Sequence, residues 1–210
     1  MVKQRKSACI YIEGGARGAD SKHVNIRCTE AFHKLLDRMG FSGRQPKLVA
    51  GGGRDTVFRD FRMAHDAAKA DFVAMWIDSE EPISDIDAAW DHLENVTTVT
   101  KWDRPDGALD DQVLFMTTCM ETWILADRET MRENFRQGFN ENQLPPISDI
   151  EKRSRDDVQA RLVIATKNCQ NAYEKGKRSY MIVGKLNPDA LRQLSSFSRV
   201  ARILNERLAQ

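Results

Sequence analysis

Short apolar runs separated by polar turns mark the first part of the chain. Residues 8–12 form such a run and close on Glu13-Gly14-Gly15, which predicts a buried strand with a glycine turn. Residues 16–28 are polar and read as a loop. Thr29 is placed to cap a helix whose apolar face is Phe32, Leu35, Leu36 and Met39, and Gly40 ends it. Residues 47–50 give a second short strand, followed by Gly51-Gly52-Gly53-Arg54. Val57, Phe58, Phe61, His65 and Ala68 then recur at helical spacing across 55–70. Residues 72–77 are a third strand, continuously apolar until Asp78-Ser79-Glu80-Glu81-Pro82. Strands that are apolar at every position belong to a parallel sheet buried on both faces, so the pattern predicts an α/β fold. Ligands in such sheets bind at the carboxyl ends of the strands, where Glu13 and Asp78 stand.

The remaining pattern is more helical. Residues 83–112 are irregular and acidic, but Trp90 and Trp102 call for burial, so the segment reads as an ordered insertion. Val113–Met116 predicts a fourth strand, and residues 119–127 a helix with Met120, Trp123 and Ile124 at helical spacing. Gln143-Leu144-Pro145-Pro146 breaks the chain. Residues 149–174 predict one long helix facing inward through Val158, Leu162, Ala165, Cys169 and Tyr173. Ser179-Tyr180 opens an apolar stretch that reads as a strand. Residues 188–208 predict a last helix, capped by Asn187, with Pro188 at its first position and Leu191, Leu194, Leu204 and Leu208 inward.

Composition narrows the class without naming a function. The 210 residues are 41% hydrophobic and 30% charged, which excludes fibrous, collagen-like and wholly disordered chains. No apolar run approaches the length of a membrane span, and residues 8–12 are too few for a secretory signal core. Cys9, Cys28, Cys119 and Cys169 form no CxxC pair, so they read as reduced thiols of a cytoplasmic protein and zinc is disfavoured. His23, His33, His65 and His92 show no metal-ligand spacing. The net charge is only +1, yet it is unevenly spread. Residues 78–111 hold eleven acids and two bases, and residues 128–210 hold sixteen bases and ten acids. Two solvated faces account for this split. A cation site beside an anion-binding surface, as phosphodiester chemistry requires, accounts for it equally.

Glu13 and the pair Asp78-x-Glu80 form the candidate cation site. A hard ion such as Mg²⁺ takes oxygen ligands, and i, i+2 spacing puts both carboxylates on one side of an extended chain. Glu81 is a rival to Glu80. Acidic residues at strand ends also serve as caps or solvated groups.

The order of the motifs resembles the Toprim domain, the metal-binding module of topoisomerases, bacterial primases and OLD-family nucleases. The resemblance rests on Glu13-Gly14 after the first strand, Thr29-Glu30 opening the first helix and Asp78-x-Glu80 after the third. Cys119-Met120-Glu121-Thr122-Trp123 and Tyr173-x-Lys175-Gly176 resemble segments of Toprim-like proteins of the AbiL and RloB type. Tyr11 to Gly15, Gly51 to Arg54, Asp78 to Pro82, Asp110 to Gln112 and Cys119 to Trp123 resemble, in order, a bacterial family of unknown function near that group. Two departures stand out. Glu30 lies 17 residues beyond Glu13, and the third-strand pair is Asp-x-Glu rather than Asp-x-Asp.

The resemblance implies a Toprim-like core over residues 1–127, with 83–112 as its insertion and 128–210 as a mainly helical part packed on the core. It implies a Mg²⁺- or Mn²⁺-dependent nuclease of anti-phage defence, controlled by an ABC/SMC-type ATPase. Glu13, Asp78 and Glu80 would hold one ion, with Glu121 and Glu30 helping to hold a second ~4 Å away. Lys175 would neutralise the transition-state phosphate. Arg54 would hold a flanking phosphate. DNA and transfer RNA are both open as substrates, as is oligomeric state. The competing readings are a non-catalytic subunit that docks and regulates the ATPase, and a phosphoryl-transfer enzyme acting on a small substrate.

Overall fold

A computed structural model describes residues 7–16 and 21–209. Four strands, β1 (Ala8–Glu13), β2 (Lys47–Gly52), β3 (Phe72–Asp78) and β4 (Val113–Met116), form one sheet in the order β2-β1-β3-β4, with every pair parallel. The fold is α/β, with helices on both sheet faces.

Side-chain alternation splits each apolar strand between two cores. Ile10, Ile12, Ala74, Trp76, Leu114 and Met116 face one core. Cys9, Tyr11, Val73, Met75, Ile77, Val113 and Phe115 face the other. The second core is closed by Val57, Phe61 and Ala64 of α2 (Arg54–Asp66), Trp90 and Leu93 of α3 (Ala89–Asn95), and Trp102. The insertion is therefore ordered, and both tryptophans are buried. The first core takes α1 (Ser21–Leu36), α4 (Met120–Ala126), α6 (Arg155–Thr166), α7 (Lys177–Val183), α8 (Pro188–Leu191) and α9 (Ser195–Arg207). All four cysteines are buried free thiols. No helix among the described residues is long and apolar enough to cross a membrane.

Several boundaries differ from the sequence pattern. The first helix is already formed at Ser21, well before Thr29, because Val24 and Cys28 carry its inward stripe back from Ala31, Phe32 and Leu35. Thr29 lies inside it, with its hydroxyl donating to the carbonyls of Asn25 and Ile26. Of the expected loop, residues 17–20 lie outside the described residues. The long helix expected over 149–174 is divided. A 3₁₀ segment, Ile147–Lys152, is followed by α6, whose Ser154 cap accepts from the Asp157 N–H. The chain leaves the helix after Thr166, so Cys169 and Tyr173 reach the core from a loop. Thr166 Oγ1 accepts the Tyr173 N–H and turns that loop inward. The stretch after Ser179-Tyr180 is helix α7, not a strand, because it packs on α1 rather than on the sheet. Residues 188–208 form two helices. The Asn187 cap and Pro188 hold as expected, and the four inward leucines are buried.

Two buried charged groups fasten the carboxyl-terminal part, Asp127 by joining its helices and Arg199 by bonding to the sheet. Asp127 precedes α5 (Arg128–Phe135) and accepts from the Thr130 N–H at 3.0 Å and the Asn187 N–H at 2.7 Å. Arg199 of α9 donates to the carbonyls of Val113 and Asp110. Asp127→Ala leaves the buried Thr130 N–H unmet and frees the Asn187 N–H to solvent, and is expected to lower stability by about 1–3 kcal/mol in urea melts, with Asp127→Asn costing less.

Candidate metal centre

The chain passes from β1 to β2 on one side and then returns to β3 on the other side of β1. This reversal opens a crevice at the carboxyl ends of β1 and β3, the place where open parallel sheets bind ligands. Glu13 ends β1 and Asp78 ends β3. The strand register shifts between Ile12 and Glu13, and Gly14 and Gly52 then exchange backbone hydrogen bonds of 2.9 and 2.8 Å. Gly14 (φ +141°) and Gly15 (φ +88°) carry the turn. A Cβ on Gly14 would stand 2.6 Å from the Tyr180 Oη, the group that accepts the Gly15 N–H at 2.6 Å. Tyr180 of α7 therefore presses on the turn that aims Glu13, and only glycine leaves it room.

Asp78 is fixed from two sides. Its N–H donates to Glu13 Oε2 at 3.2 Å, and its Oδ1 accepts the Met120 N–H at 2.8 Å. The strand stops at Asp78, so Asp78 and Glu80 do not share an extended chain. Glu80 instead adopts a left-handed backbone, φ +69°, with its N–H donating to the Thr118 carbonyl. That conformation is costly for a residue with a Cβ. The turn brings the Glu80 carboxylate back to the other two. Among the described residues, one oxygen from each of Glu13, Asp78 and Glu80 lies within 4.8 Å of the others.

Glu121 stands beside this triplet, buried on α4. Its Oε1 accepts the Tyr173 O–H at 2.6 Å, and its Oε2 accepts from Gln159 at 3.4 Å. Two guanidinium groups share the field. Arg155, at the start of α6, pairs with Glu80 and lies 3.6 Å from Asp78. Arg54, at the start of α2, is 8% exposed, and none of its three guanidinium nitrogens has a hydrogen-bond partner among the described residues. Its guanidinium lies over the Trp102 ring at 3.8 Å. Trp102 is held in turn by stacking on Phe58 and by its N–H to Asp55. Burial pulls the Arg54 pKa down, and Glu13, Glu80, Asp55 and Asp78 oppose that shift.

Four carboxylates thus face two guanidinium groups. If all ionise, two negative charges are left over in a poorly hydrated crevice. The Glu13 carboxyl is pushed up to about 7, first by burial and then by Glu80, against Arg155, the Asp78 N–H and Arg54. Asp78 is raised well above the usual carboxylate range by burial, Glu13 and Glu121, with Arg155 opposing. An all-oxygen set carrying a surplus of two charges suits a hard divalent cation such as Mg²⁺ or Mn²⁺.

The structure does not bring every candidate here. Glu30 is exposed on α1, in a depression lined by Arg27, Lys34 and Lys185. Lys175 is exposed, and Arg155 instead contacts the carboxylates. Glu81 is committed to its own loop. Its Oε1 accepts from the Thr97 N–H, the Thr97 hydroxyl and the Thr98 N–H, each at 2.7 Å. Burial raises its pKa, but these bonds outweigh it and hold the carboxyl at about 2. The sequence reading missed Arg155 and Gln159. They are polar residues at i, i+4 on α6, a spacing that marks one helix face but not what that face meets.

A family model described as a domain of unknown function (DUF4276) matches residues 15–205, and the chain belongs to this family. No curated protein and no solved structure matches the chain.

The raised Glu13 carboxyl has a stability consequence. Its folded value lies above the ordinary value of 4.5, so between pH 4.5 and about 7 the folded chain binds more protons than the unfolded chain. Stability contributed by the protonated form is therefore lost as pH rises through that window. The metal-free protein is expected to melt at a lower temperature at pH 8 than at pH 5.5, and Glu13→Gln is expected to flatten the slope. Calorimetric melts across this range check it.

Proposed function

We propose that this family member is a divalent-metal-dependent phosphodiester hydrolase, a Toprim-type nuclease acting on DNA or RNA. One conjunction carries the reading: three convergent carboxylates lie in the field of a buried arginine that has no hydrogen-bond partner among the described residues. The carboxylates call for a cation and the arginine for an anion. A phosphodiester held against a divalent cation supplies both. Glu13, Asp78 and Glu80 would hold Mg²⁺ or Mn²⁺, with Glu121 beside them. Bound there, the ion would acidify a water and polarise a phosphoryl oxygen.

The chain's own groups position and neutralise. Backbone N–H groups of Asp78 and Met120 orient the Glu13 and Asp78 carboxylates. Arg54 would hold the oxygens of a flanking phosphate bidentately, with the Trp102 loop shifting to admit it. The near-neutral overall charge, 32 Lys+Arg against 31 Asp+Glu, offers little sequence-independent affinity for a polyanion. We therefore assign substrate delivery to a partner, the ABC/SMC-type ATPase of a phage-defence system that the Toprim resemblance implies. A cytoplasmic site of action accords with that role.

A second reading draws on Arg155. Its pairs with Asp78 and Glu80 neutralise part of the cluster without metal, as a non-catalytic subunit regulating an ATPase would require.

Calorimetric titration with Mn²⁺, followed by incubation with plasmid and total tRNA, separates these readings. Wild type is expected to bind metal and cut one of the polymers. The double variant Glu13→Gln, Asp78→Asn is expected to do neither. Arg54→Ala is expected to bind metal as wild type does and to cut about 10²-fold less efficiently. A wild type that binds no divalent ion would exclude the hydrolase and favour the subunit.

A further inference from the structure

The cation nearest the carboxylates is an arginine from the carboxyl-terminal part, outside every motif that pointed to the site. Arg155 is the first residue of α6, behind the Ser154 cap. It contacts two of the three clustered carboxylates. The Asp78 and Glu80 side chains are 9% and 7% exposed, whereas that of Arg155 is 26% exposed. The guanidinium therefore covers the carboxylates on the side that faces water. Four residues along the same helix, Gln159 reaches Glu121. One face of α6 thus closes over the acidic crevice.

The neighbouring cations are placed differently. Arg153 and Arg161 both pair with Asp157. Lys175 is exposed, and Arg54 is sealed beneath Trp102. Arg155 is thus the partly wetted cation in direct contact with the cluster among the described residues.

A guanidinium is a poor replacement for a divalent ion here. With Arg155 set aside, the four carboxylates exceed Arg54 by three charges; the guanidinium brings one delocalised charge against these, and its planar fork contacts Asp78 and Glu80. The same fork is well matched to two oxygens of a phosphate. A small, doubly charged ion can draw in all three carboxylates at once. The ion and the guanidinium are both cations drawn to the same carboxylates, so binding of one weakens binding of the other.

We propose that Arg155 is an exchangeable counter-ion: it occupies the cation position in the metal-free chain, yields it to the divalent ion, and then holds an oxygen of the phosphodiester. This rests on the hydrolase reading. It assigns to Arg155 the phosphate-neutralising role that the sequence resemblance gave to Lys175. It also makes metal loading and phosphate recognition one event, since the phosphate ligand is released only when the metal enters.

Arg155→Gln and Arg155→Lys test it, with Mn²⁺ affinity by calorimetry read separately from cleavage. Arg155→Gln removes the competitor, so it is expected to bind Mn²⁺ about tenfold more tightly than wild type. It is also expected to cleave about 10²-fold less efficiently. Arg155→Lys is expected to recover part of the cleavage. Lys175→Gln is expected to match wild type in both measurements. Unchanged or weaker Mn²⁺ binding by Arg155→Gln, with the thermal melt preserved, would overturn the exchange. Tighter binding with full cleavage would overturn the phosphate role. Absence of Mn²⁺ binding in both wild type and variant would overturn the exchange and the underlying hydrolase reading together, which distinguishes it from failure of the exchange alone.

Discussion

Like charges gathered at the carboxyl ends of two central strands are the constraint around which this chain is arranged. Glu13, Asp78 and Glu80 converge, Glu121 lies beside them, and Arg54 and Arg155 answer them among the described residues. Burial makes each of these charges costly, and mutual repulsion adds to the cost. Such an arrangement persists only where the surrounding fold imposes it. Three features do so here. The Asp78 and Met120 N–H groups fix carboxylate orientation. A glycine turn pressed by Tyr180 aims Glu13. A left-handed backbone at Glu80 returns its side chain to the cluster.

The remainder of the molecule is organised about that crevice. A sheet buried on both faces needs helices on both sides, and each side contributes to the site. The α2 side contributes Arg54, held under the Trp102 ring that stacks on Phe58. The other side contributes Glu121 from α4, Arg155 and Gln159 from α6, and Tyr180 from α7. Asp127 joins the starts of α5 and α8, Arg199 holds α9 on β4, and α6 packs on α4 beside the crevice. The carboxyl-terminal part is therefore a structural component of the site and not an appendage to it.

The strands were plainly legible in the sequence, because continuous apolar runs have few alternatives to a doubly covered parallel sheet. Glu13 and Asp78 followed directly, as polar residues that end such runs. Glu80 was expected for the wrong local reason. Its spacing suggested an extended chain, whereas a turn brings it into place. Helix limits were less legible where the deciding partner lay far away in sequence. Residues 21–28 are helical because Val24 and Cys28 meet the core, and residues 177–183 are helical because they pack on α1. Glu30 and Lys175 were carried by resemblance alone, and both are exposed. Arg155 was overlooked because a charged residue at a helix start ordinarily signifies a solvated face. Only the tertiary structure sets it against Asp78 and Glu80.

The most direct test of this account is an anomalous difference map from crystals grown with Mn²⁺. The account predicts a peak bounded by Glu13, Asp78 and Glu80, with the Arg155 guanidinium turned away from both of its carboxylate partners. A map with no peak there, and with Arg155 still seated on Asp78 and Glu80, would contradict it.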